Sequence, residues 1–190
     1  MKVIPTALPE LKVYVPKRFG DPRGYFTEWY NARTLAEAGL DCRFVQDNLS
    51  LSRTPGTLRG LHFQTPPHAQ GKLIGVLQGA IFDVAADIRR GSPTYGRHVG
   101  VELSAELGNQ LFVPKGFAHG FCTLAPDTLV AYKVTDYYDQ ASDAGIAWHD
   151  PDLAIAWPFG GEPAVISERD SRLPRLAEVG SSPFTFDGQR

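Results

Sequence analysis

Short apolar or alternating segments, separated by proline and glycine, make up most of the chain. The clearest segments span residues 72–77, 80–88, 99–103, 110–113, 119–124 and 128–134, and residues 25–30 form an aromatic-rich segment. Segments of this length, bounded by turn residues, are typical of β-strands. Between the first two segments, Gln78-Gly79 predicts a hairpin turn. The pattern as a whole predicts a β-sandwich or barrel.

Only residues 34–40 follow a helical pattern, with Asn31 as a candidate cap and Gly39 near the end. No internal repeat, low-complexity block or linker divides the chain. The segment from Asp150 onward is irregular and rich in proline. We therefore expect a single domain over residues 1–190. Its barrel core would lie at about 45–140, with N-terminal strands and a C-terminal wrap around it.

Composition and charge limit the classes of partner. The chain has 190 residues, 43% of them hydrophobic, and a net charge of −2. This charge gives no broad basic field for nucleic acid, so phosphate groups must be bound locally by a few arginines or lysines. No apolar run is long enough to span a bilayer, and the N-terminus lacks a secretory leader, which predicts a cytoplasmic protein without a membrane partner. Cys42 and Cys122 are too few for a disulfide framework or a cysteine metal site.

Polar residues are densest around Gln46-Asp47-Asn48, Arg59-Gly60-Leu61-His62-Phe63-Gln64 and Gln70-Gly71-Lys72. In a regular strand Arg59 and His62 would face opposite sides of the sheet. Gly60 lies between them, and a glycine within a strand often marks a bulge, which would bring both side chains to one side. From local sequence alone His62 is compatible with a hydrogen-bonded pocket histidine, a metal ligand or a general base.

A second group of candidates follows a tight turn. In Pro114-Lys115-Gly116-Phe117-Ala118-His119 the P-x-G-x-x-H spacing resembles the second motif of the cupin superfamily. The first cupin motif normally offers two histidines as H-x-H, whereas this chain has His62-Phe63-Gln64, and His68 follows among prolines. A three-ligand metal site is therefore incomplete. The resemblance favours a barrel, and the missing ligand argues against a metal.

Tyr132 alternates with Val130 and Val134 along one predicted strand. This position suits a core tyrosine whose hydroxyl group is hydrogen-bonded. It equally suits a buried tyrosine that donates a proton in catalysis.

Together these segments resemble the dTDP-4-dehydrorhamnose 3,5-epimerase family of the cupin superfamily. Matching stretches run in family order from residue 19 to about residue 170, and they occupy residues 19–26, 46–50, 58–64, 69–73, 87–94, 116–121, 132–138, 148–151 and 167–170. The resemblance implies an all-β, cupin-type jelly-roll β-barrel with short flanking helices. It also implies a homodimer that uses no metal and no other cofactor.

The resemblance further implies a role for each matching residue. His62 would be the base, Asp170 its hydrogen-bond partner, Tyr132 the acid, and Lys72 the group that faces the ketone oxygen of the substrate. The implied substrate-binding set is Arg23, Glu28, Gln46, Asp47, Asn48, Arg59, His119, Tyr138, Asp143 and Arg169.

Within that set the roles differ. Arg23 and Arg59 would bind the diphosphate, together with Arg169, which stands where the family usually has lysine. Tyr138 would stack on the thymine. Asp143 stands where the family often has glutamate, so its contact would be shorter or absent. The remaining residues would shape the nucleotide and sugar pocket.

The implied reaction inverts C3 and C5 of dTDP-4-dehydro-6-deoxy-D-glucose to give dTDP-4-dehydro-L-rhamnose. The C4 ketone acidifies the hydrogens on both carbons, and inversion needs a base on one face of the sugar and an acid on the other. Three alternatives stay open: an epimerase that acts at C3 only, a metal-dependent cupin oxygenase or isomerase, and a sugar-nucleotide binding module without catalysis.

Overall fold

The computed structural model describes residues 1–179 and 183–186, and strands account for most of its regular structure. The strands are β1 (Lys2–Pro5), β2 (Lys12–Val15), β3 (Arg18–Asp21), β4 (Gly24–Thr27), β5 (Gln46–Ser52), β6 (Leu58–Gln64), β7 (Lys72–Gln78), β8 (Ala80–Asp87), β9 (His98–Ser104), β10 (Gln110–Val113), β11 (Phe117–Thr123), β12 (Thr128–Val134) and β13 (Asp143–Gly145). The helical elements of the described residues are short: one α-helix, α1 (Ala32–Glu37), and two 3-10 helices, η1 (Asp170–Arg172) and η2 (Leu176–Glu178).

Two antiparallel sheets form the barrel. The six-stranded sheet has the order β1-β2-β10-β7-β12-β5, and the five-stranded sheet has the order β13-β6-β11-β8-β9. Strands β3 and β4 form a separate two-stranded ribbon. The prediction of an all-β jelly-roll barrel with short flanking helices is confirmed.

The barrel interior is filled by apolar side chains from both sheets. Ile74 and Val130 reach it from the six-stranded sheet, and Ile81, Ala85 and Phe121 reach it from the five-stranded sheet. Alternate residues of each strand point inward, as the twofold strand period requires. Each such side chain stabilises the fold by roughly 1.5–3 kcal/mol if it is fully buried, so the sheets form a rigid support for polar groups between them.

The predicted hairpin at Gln78-Gly79 is wrong. Strand β7 pairs with β10 and β12, whereas β8 pairs with β11 and β9, so the chain passes from one sheet to the other at this turn. Gly79 has φ +78°, and a Cβ atom there would lie 2.4 Å from Oγ1 of Thr128. A glycine between two strands therefore marks a close approach to a third strand, which local pattern cannot distinguish from a hairpin.

The predicted helix exists, but with earlier bounds. It spans Ala32–Glu37, and the side chain of Asn31 accepts a hydrogen bond from the backbone N–H of Thr34 at 3.2 Å. The aromatic-rich segment is strand only as far as Thr27, in the ribbon formed by β3 and β4. Local pattern did not reveal β1, β2, β3 or β13, each of four residues or fewer, and it also did not reveal the seven-residue strand β5.

The C-terminal segment packs on the outside of the five-stranded sheet. Leu153 and Leu176 join Val84, Ala86 and Ile146 in a second buried cluster. The 3-10 helix η1 contacts β6 on the way. This route carries the residues around position 170 to the strand that holds Arg59 and His62.

Candidate active site

A cavity of about 420 Å³ opens between the two sheets. It is lined by four residues predicted to act in catalysis, His62, Lys72, Tyr132 and Asp170, and by three predicted to bind substrate, Arg59, His119 and Arg169. A second lobe of about 370 Å³ shares His62, Lys72, Tyr132 and Arg169 with the first, and it adds Gln46, Asn48, Tyr138 and Asp143. The structure thus brings together most of the residues that sequence analysis selected.

A bulge in β6 aims Arg59 and His62 at the same cavity. His62 pairs with His119 and Arg59 with Phe121, so β6 uses one more residue than β11 over this interval. The extra residue lies at Gly60-Leu61, as the isolated glycine predicted. Gly60 has φ +117°, and a Cβ atom there would lie 2.6 Å from Cα of Gly120. The bulge therefore needs glycine for both its backbone conformation and its contact with β11.

His62 and Asp170 form a hydrogen-bonded pair. Nε2 of His62 lies 2.7 Å from Oδ1 of Asp170, and the backbone N–H of Gly60 donates to Oδ2 of the same carboxylate at 3.0 Å. Burial alone would raise the pKa of Asp170, but these hydrogen bonds and the charges of His62 and Arg169 lower it below its ordinary value. Asp170 is therefore a carboxylate at neutral pH, which places the proton of neutral His62 on Nε2 and leaves Nδ1 as the basic nitrogen.

Lys72 provides a cation in the cavity. Its Nζ donates to the backbone carbonyl of His62 at 3.3 Å. Burial lowers the pKa of Lys72 to about 8, against the opposing effects of Asp143 and Asp83. The amine is thus mostly an ammonium ion at neutral pH.

Tyr132 faces the cavity from the sheet opposite His62. It belongs to β12 of the six-stranded sheet and packs against the interior core, whereas His62 belongs to β6 of the five-stranded sheet. Burial raises the pKa of Tyr132, with Arg59 opposing this shift and Asp143 adding to it. The phenol therefore keeps its proton at neutral pH, and it lies across the cavity from the imidazole ring of His62.

Two arginines line the cavity and present positive charge. Arg59 donates through Nε to Oγ of Ser52 and through a terminal nitrogen to the carbonyl of Leu51, both at 3.2 Å. Arg169 pairs with Asp143 at 2.8 Å. Both guanidinium groups are suited to a diphosphate, which they can bind bidentately.

Asp143 is bonded to two other residues that were predicted to bind substrate. Besides its ion pair with Arg169, its Oδ2 accepts a hydrogen bond from the hydroxyl group of Tyr138 at 3.2 Å. The carboxylate is therefore engaged by the chain itself. Whether this aspartate has a shorter contact with substrate, or none, stays a prediction.

The amides of β5 line the second lobe, but Asp47 does not. Nε2 of Gln46 donates to Oδ1 of Asn48 at 2.9 Å, and both side chains lie at the cavity. Asp47 alternates with them, points to the other face of the sheet, and pairs with Lys133 at 2.8 Å. The twofold strand period thus places the side chain of Asp47 apart from the cavity of its own chain, and its role in substrate binding stays a prediction.

Arg23 and Glu28 also lie apart from the cavity of their own chain. Arg23 pairs with Asp21 at 2.6 Å, and its side chain is 89% exposed. Glu28 accepts a hydrogen bond from Nδ2 of Asn31 at 2.9 Å. Neither residue lines either lobe of the cavity.

Sequence analysis missed Asp83. Its Oδ1 lies 2.7 Å from Nε2 of His119, and both side chains are buried. The available signal was that Asp83 is one of two carboxylates in the otherwise apolar segment 80–88, because a buried charge is costly unless a partner stabilises it.

Within residues 1–179 and 183–186, no group of three or more histidines, cysteines or carboxylates is arranged to hold a metal ion. Gln64, at the second histidine position of the cupin motif, donates through Nε2 to the carbonyls of His68 and Tyr137 at 2.6 and 3.1 Å. Its amide therefore ties two loops together. None of the described helices has the length and apolar character needed to cross a membrane.

Known proteins share both the sequence and the fold. A family model described as dTDP-4-dehydrorhamnose 3,5-epimerase matches residues 5–178. The dTDP-4-dehydrorhamnose 3,5-epimerase of Sinorhizobium fredii (strain NBRC 101917 / NGR234) is 51% identical over 180 residues, which cover 95% of this chain and 90% of the relative.

Two solved structures are similar over almost their whole length. The dTDP-4-dehydrorhamnose 3,5-epimerase of Bacillus anthracis str. Ames, with TDP and PPi bound, is 52% identical with a TM-score of 0.88, and the match covers 92% of this chain and 98% of that one. The dTDP-6-deoxy-D-glucose-3,5-epimerase of Legionella pneumophila Philadelphia 1, in complex with dTDP-4-keto-L-rhamnose, is 46% identical with a TM-score of 0.93, and covers 99% of both chains.

Proposed function

Since the chain belongs to the dTDP-4-dehydrorhamnose 3,5-epimerase family, we propose that it inverts C3 and C5 of dTDP-4-dehydro-6-deoxy-D-glucose to give dTDP-4-dehydro-L-rhamnose. One observation supports this reaction above all others. A histidine paired with a carboxylate and a protonated tyrosine face one cavity from opposite sheets. Inversion requires such a pair, because the proton must leave one face of the sugar and return to the other.

In the first step His62 removes the proton from C3 or C5 through Nδ1. The bonding electrons move into the C–C bond next to the ketone and onto the C4 oxygen, which gives an enolate. Asp170 stabilises the imidazolium ion as it forms, by the same logic as the carboxylate of a hydrolase triad. Lys72 stabilises the oxygen, and loss of one such donor costs about 2.7–4 kcal/mol in hydrolases.

In the second step Tyr132 donates its phenolic proton to the carbon from the opposite face. The configuration inverts, and the ketone reforms. After each inversion His62 carries an extra proton and Tyr132 lacks one, so both groups must exchange protons with solvent before the next inversion. The reaction is redox-neutral because the ketone is already present in the substrate.

Binding would use the two lobes for different parts of the substrate. We assign the diphosphate to Arg59 and Arg169, whose guanidinium groups line the first lobe. We assign the thymine ring to Tyr138, which is 57% exposed at the second lobe and therefore available for stacking.

The positions of Arg23 and Glu28 support a homodimer. Both residues lie outside the cavity of their own chain, on or beside the ribbon of β3 and β4. The ribbon exposes Phe26, and the outer face of the six-stranded sheet exposes Leu49 and Leu77. Exposed apolar surface of this kind marks an interaction site. We propose that a second copy of the chain covers it and that each copy carries Arg23 and Glu28 to the partner's cavity.

A mixing experiment tests the homodimer. Chains carrying Arg23→Glu and chains carrying His62→Ala would be co-expressed in equal amounts. If Arg23 acts in the partner's cavity, each mixed dimer has one intact site, and random pairing restores about a quarter of wild-type kcat/KM. Activity that stays at the average of the two separate variants would contradict the proposal, as would a monomer in light scattering.

Deuterium incorporation tests the reaction itself. The protein is incubated with dTDP-4-dehydro-6-deoxy-D-glucose in heavy water, and NMR follows C3 and C5. We expect deuterium at both carbons and a product of L configuration. Incorporation at C3 alone would identify a C3 epimerase, and binding without incorporation would identify a binding module.

A pair of histidine variants sharpens this test. His62→Ala should lose incorporation at both carbons. His149→Ala alters an exposed histidine that lies outside both lobes, and this variant should retain deuterium incorporation at both carbons. Incorporation that persists in His62→Ala would contradict its assignment as the base.

A further inference from the structure

Asp83 is a carboxylate in the apolar interior of the barrel. It lies on β8 between Ile81 and Ala85, which share its face and belong to the interior core, and it has no solvent exposure. A buried charge is costly unless hydrogen bonds or an opposite charge compensate it. An aspartate at such a position therefore needs an explanation beyond packing.

Only half of this carboxylate is hydrogen-bonded. Oδ1 lies 2.7 Å from Nε2 of His119, whereas Oδ2 has no hydrogen-bond partner among the described residues. Asp87, four residues along the same strand, offers a contrast. Its two oxygens accept hydrogen bonds from Arg89, Ser92 and Thr94 at 2.6–2.9 Å. Among the described residues, β8 thus carries one carboxylate with hydrogen bonds to both oxygens and one with a hydrogen bond to a single oxygen.

The two carboxylates also differ in what they face. Asp87 is bound to an arginine at the end of the barrel, whereas Asp83 is bound to a histidine that lines the 420 Å³ cavity. His119 lies opposite His62 in the β6–β11 ladder, and Nζ of Lys72 donates to the carbonyl of His62. Asp83 is therefore bonded to a residue that lines the same cavity as Lys72.

The charges around Lys72 are few and mostly compensated. The titratable groups that share its cavity are His62, Arg59, Tyr132, Tyr138 and His119, with Asp170 paired to His62 and Asp143 paired to Arg169. Within the part of the chain that the structure describes, no arginine or lysine is bonded to Asp83. Its charge consequently acts on the cavity with less compensation than that of Asp143.

The titration of Lys72 agrees with this geometry. Burial lowers the pKa of Lys72 to about 8, and the charges of Asp143 and then Asp83 limit the fall. The two carboxylates therefore keep Lys72 protonated up to a higher pH than burial alone would allow.

We propose that Asp83 is a positioning residue of the epimerase: Oδ1 fixes the ring of His119, and the carboxylate charge keeps Lys72 protonated where the enolate oxygen forms. The inference rests on the proposed function, because it gives Lys72 the enolate oxygen as its partner. With Nε2 held by Asp83, Nδ1 is the ring nitrogen of His119 that faces substrate.

The first test is Asp83→Asn, which keeps the shape of the side chain and removes its charge. Lys72 should lose its proton at lower pH, so the alkaline limb of the kcat profile should move down by about one pH unit. For a limb that lies near 8 in the wild type, kcat of the variant should fall about tenfold between pH 6 and pH 8, whereas kcat of the wild type should fall about twofold. A loss of kcat by the same factor at all pH values would reflect only a changed orientation of His119 and no change in the protonation of Lys72.

Asp87→Asn is the matched control. Asp87 lies on the same strand and face and is equally buried, but it bonds to Arg89, Ser92 and Thr94. This variant should unfold at a lower temperature and keep the alkaline limb of the wild type. It separates loss of stability from loss of charge near Lys72.

Asp83→Leu covers the case in which the asparagine variant does not fold. Leucine suits the apolar surroundings, and replacement of a buried charge by an apolar residue is often tolerated. It removes the same charge and should give the same shift of the alkaline limb. An unchanged limb in whichever Asp83 variant folds, with only a lower unfolding temperature, would overturn the proposal and leave Asp83 a structural role.

A readout that needs no turnover distinguishes this inference from the proposed function. Carbamylation of Lys72 by cyanate, followed by mass spectrometry across pH, measures the neutral fraction of the amine. The Asp83 variants should become reactive at lower pH than the wild type and Asp87→Asn. Identical labelling profiles would overturn the inference even if the wild type epimerises the substrate, and a shifted profile would support it even if the substrate proved to be different.

Discussion

At the scale of single residues, His62 and Tyr132 start the proposed reaction in opposite protonation states. When the ring of His62 is neutral, the hydrogen bond from Nε2 to Asp170 leaves Nδ1 as the nitrogen without a proton. Burial raises the pKa of Tyr132, although Arg59 opposes the shift. The base and the acid are therefore prepared before substrate binds, and each has a distinct effect when it is removed.

Tyr132→Phe should separate the two steps. The ring still packs against the core, but the proton donor is gone, so inversion should slow by about 10²–10⁴-fold. His62 can still remove a proton, exchange it with solvent and return it to the same face. NMR in heavy water should therefore detect exchange at C3 and C5 without matching epimer formation.

The control for this variant is Tyr14→Phe, which alters a buried tyrosine of β2 that packs in a separate cluster outside the cavity. It should keep both exchange and inversion. An equal loss of exchange and inversion in Tyr132→Phe would contradict the assignment of Tyr132 as the acid.

At the scale of elements, the β6 bulge determines which side chains reach the cavity. It brings Arg59 and His62 to one side, and Gly60 allows β6 and β11 to approach closely. Sequence analysis anticipated this bulge because a glycine interrupted an otherwise regular strand. The same reasoning failed at Gly79, where a glycine marks a passage between sheets. Glycine positions predict local irregularity well, but they do not reveal the partner strand that causes it.

Gly60→Ala should damage the fold and the site together. At φ +117° any L side chain is strained, and the new Cβ atom would clash with Gly120 and with the carbonyl of His119 at 2.8 Å. The conformational strain alone costs about 1–3 kcal/mol, and the clash adds to it. Denaturant unfolding should show a lower midpoint, and kcat/KM of the folded fraction should fall because His62 is displaced.

Gly161→Ala controls for backbone strain. Gly161 has nearly the same φ of +118°, but a Cβ atom there would meet nothing within 4 Å. The Gly161→Ala variant should be destabilised by the backbone strain alone and should keep the kcat/KM of the wild type. Equal destabilisation by both substitutions would show that the clash with β11 contributes nothing to the destabilisation by Gly60→Ala.

At the scale of the whole molecule, the site combines residues that are distant in sequence. Asp170 meets His62 across 108 residues, and Asp83 meets His119 across 36. The strands β7, β11 and β12 of the site followed from the hydrophobic pattern, but β5 did not, and the family resemblance, now confirmed, supplied Asp170. Neither the hydrophobic pattern nor the family resemblance identified Asp83, because only the packing of β8 against β11 reveals its partner. Local pattern therefore predicts strands, whereas pairs that span the barrel need the folded chain or its relatives.

Asp87 and Arg89 join the barrel to the segments that wrap it. Arg89 pairs with Asp87 at 2.7 Å and with Glu10 of the N-terminal segment at 2.9 Å, and its guanidinium group lies over the ring of Phe186 near the C-terminus. Burial alone would raise the pKa of Asp87, but hydrogen bonds from Arg89 and neighbouring hydroxyl groups lower it below its ordinary value. The ionised carboxylate is thus bound more tightly in the folded state than in the unfolded state.

This linkage fixes the direction of the acid response. Because the folded pKa lies below the unfolded value of about 3.9, Asp87 stabilises the fold fully above that value and loses its contribution as pH falls through the folded pKa. Asp87→Asn should lower the free energy of unfolding at pH 7 by about 3 kcal/mol, the lower end for a broken buried ion pair, since Glu10 still pairs with Arg89. Urea unfolding at pH 7, 5, 4 and 3 should show this difference narrowing below about pH 4. The exposed Asp152→Asn variant should unfold like the wild type throughout. A difference between Asp87→Asn and wild type that stays constant with pH would mean that the carboxylate contributes shape rather than charge.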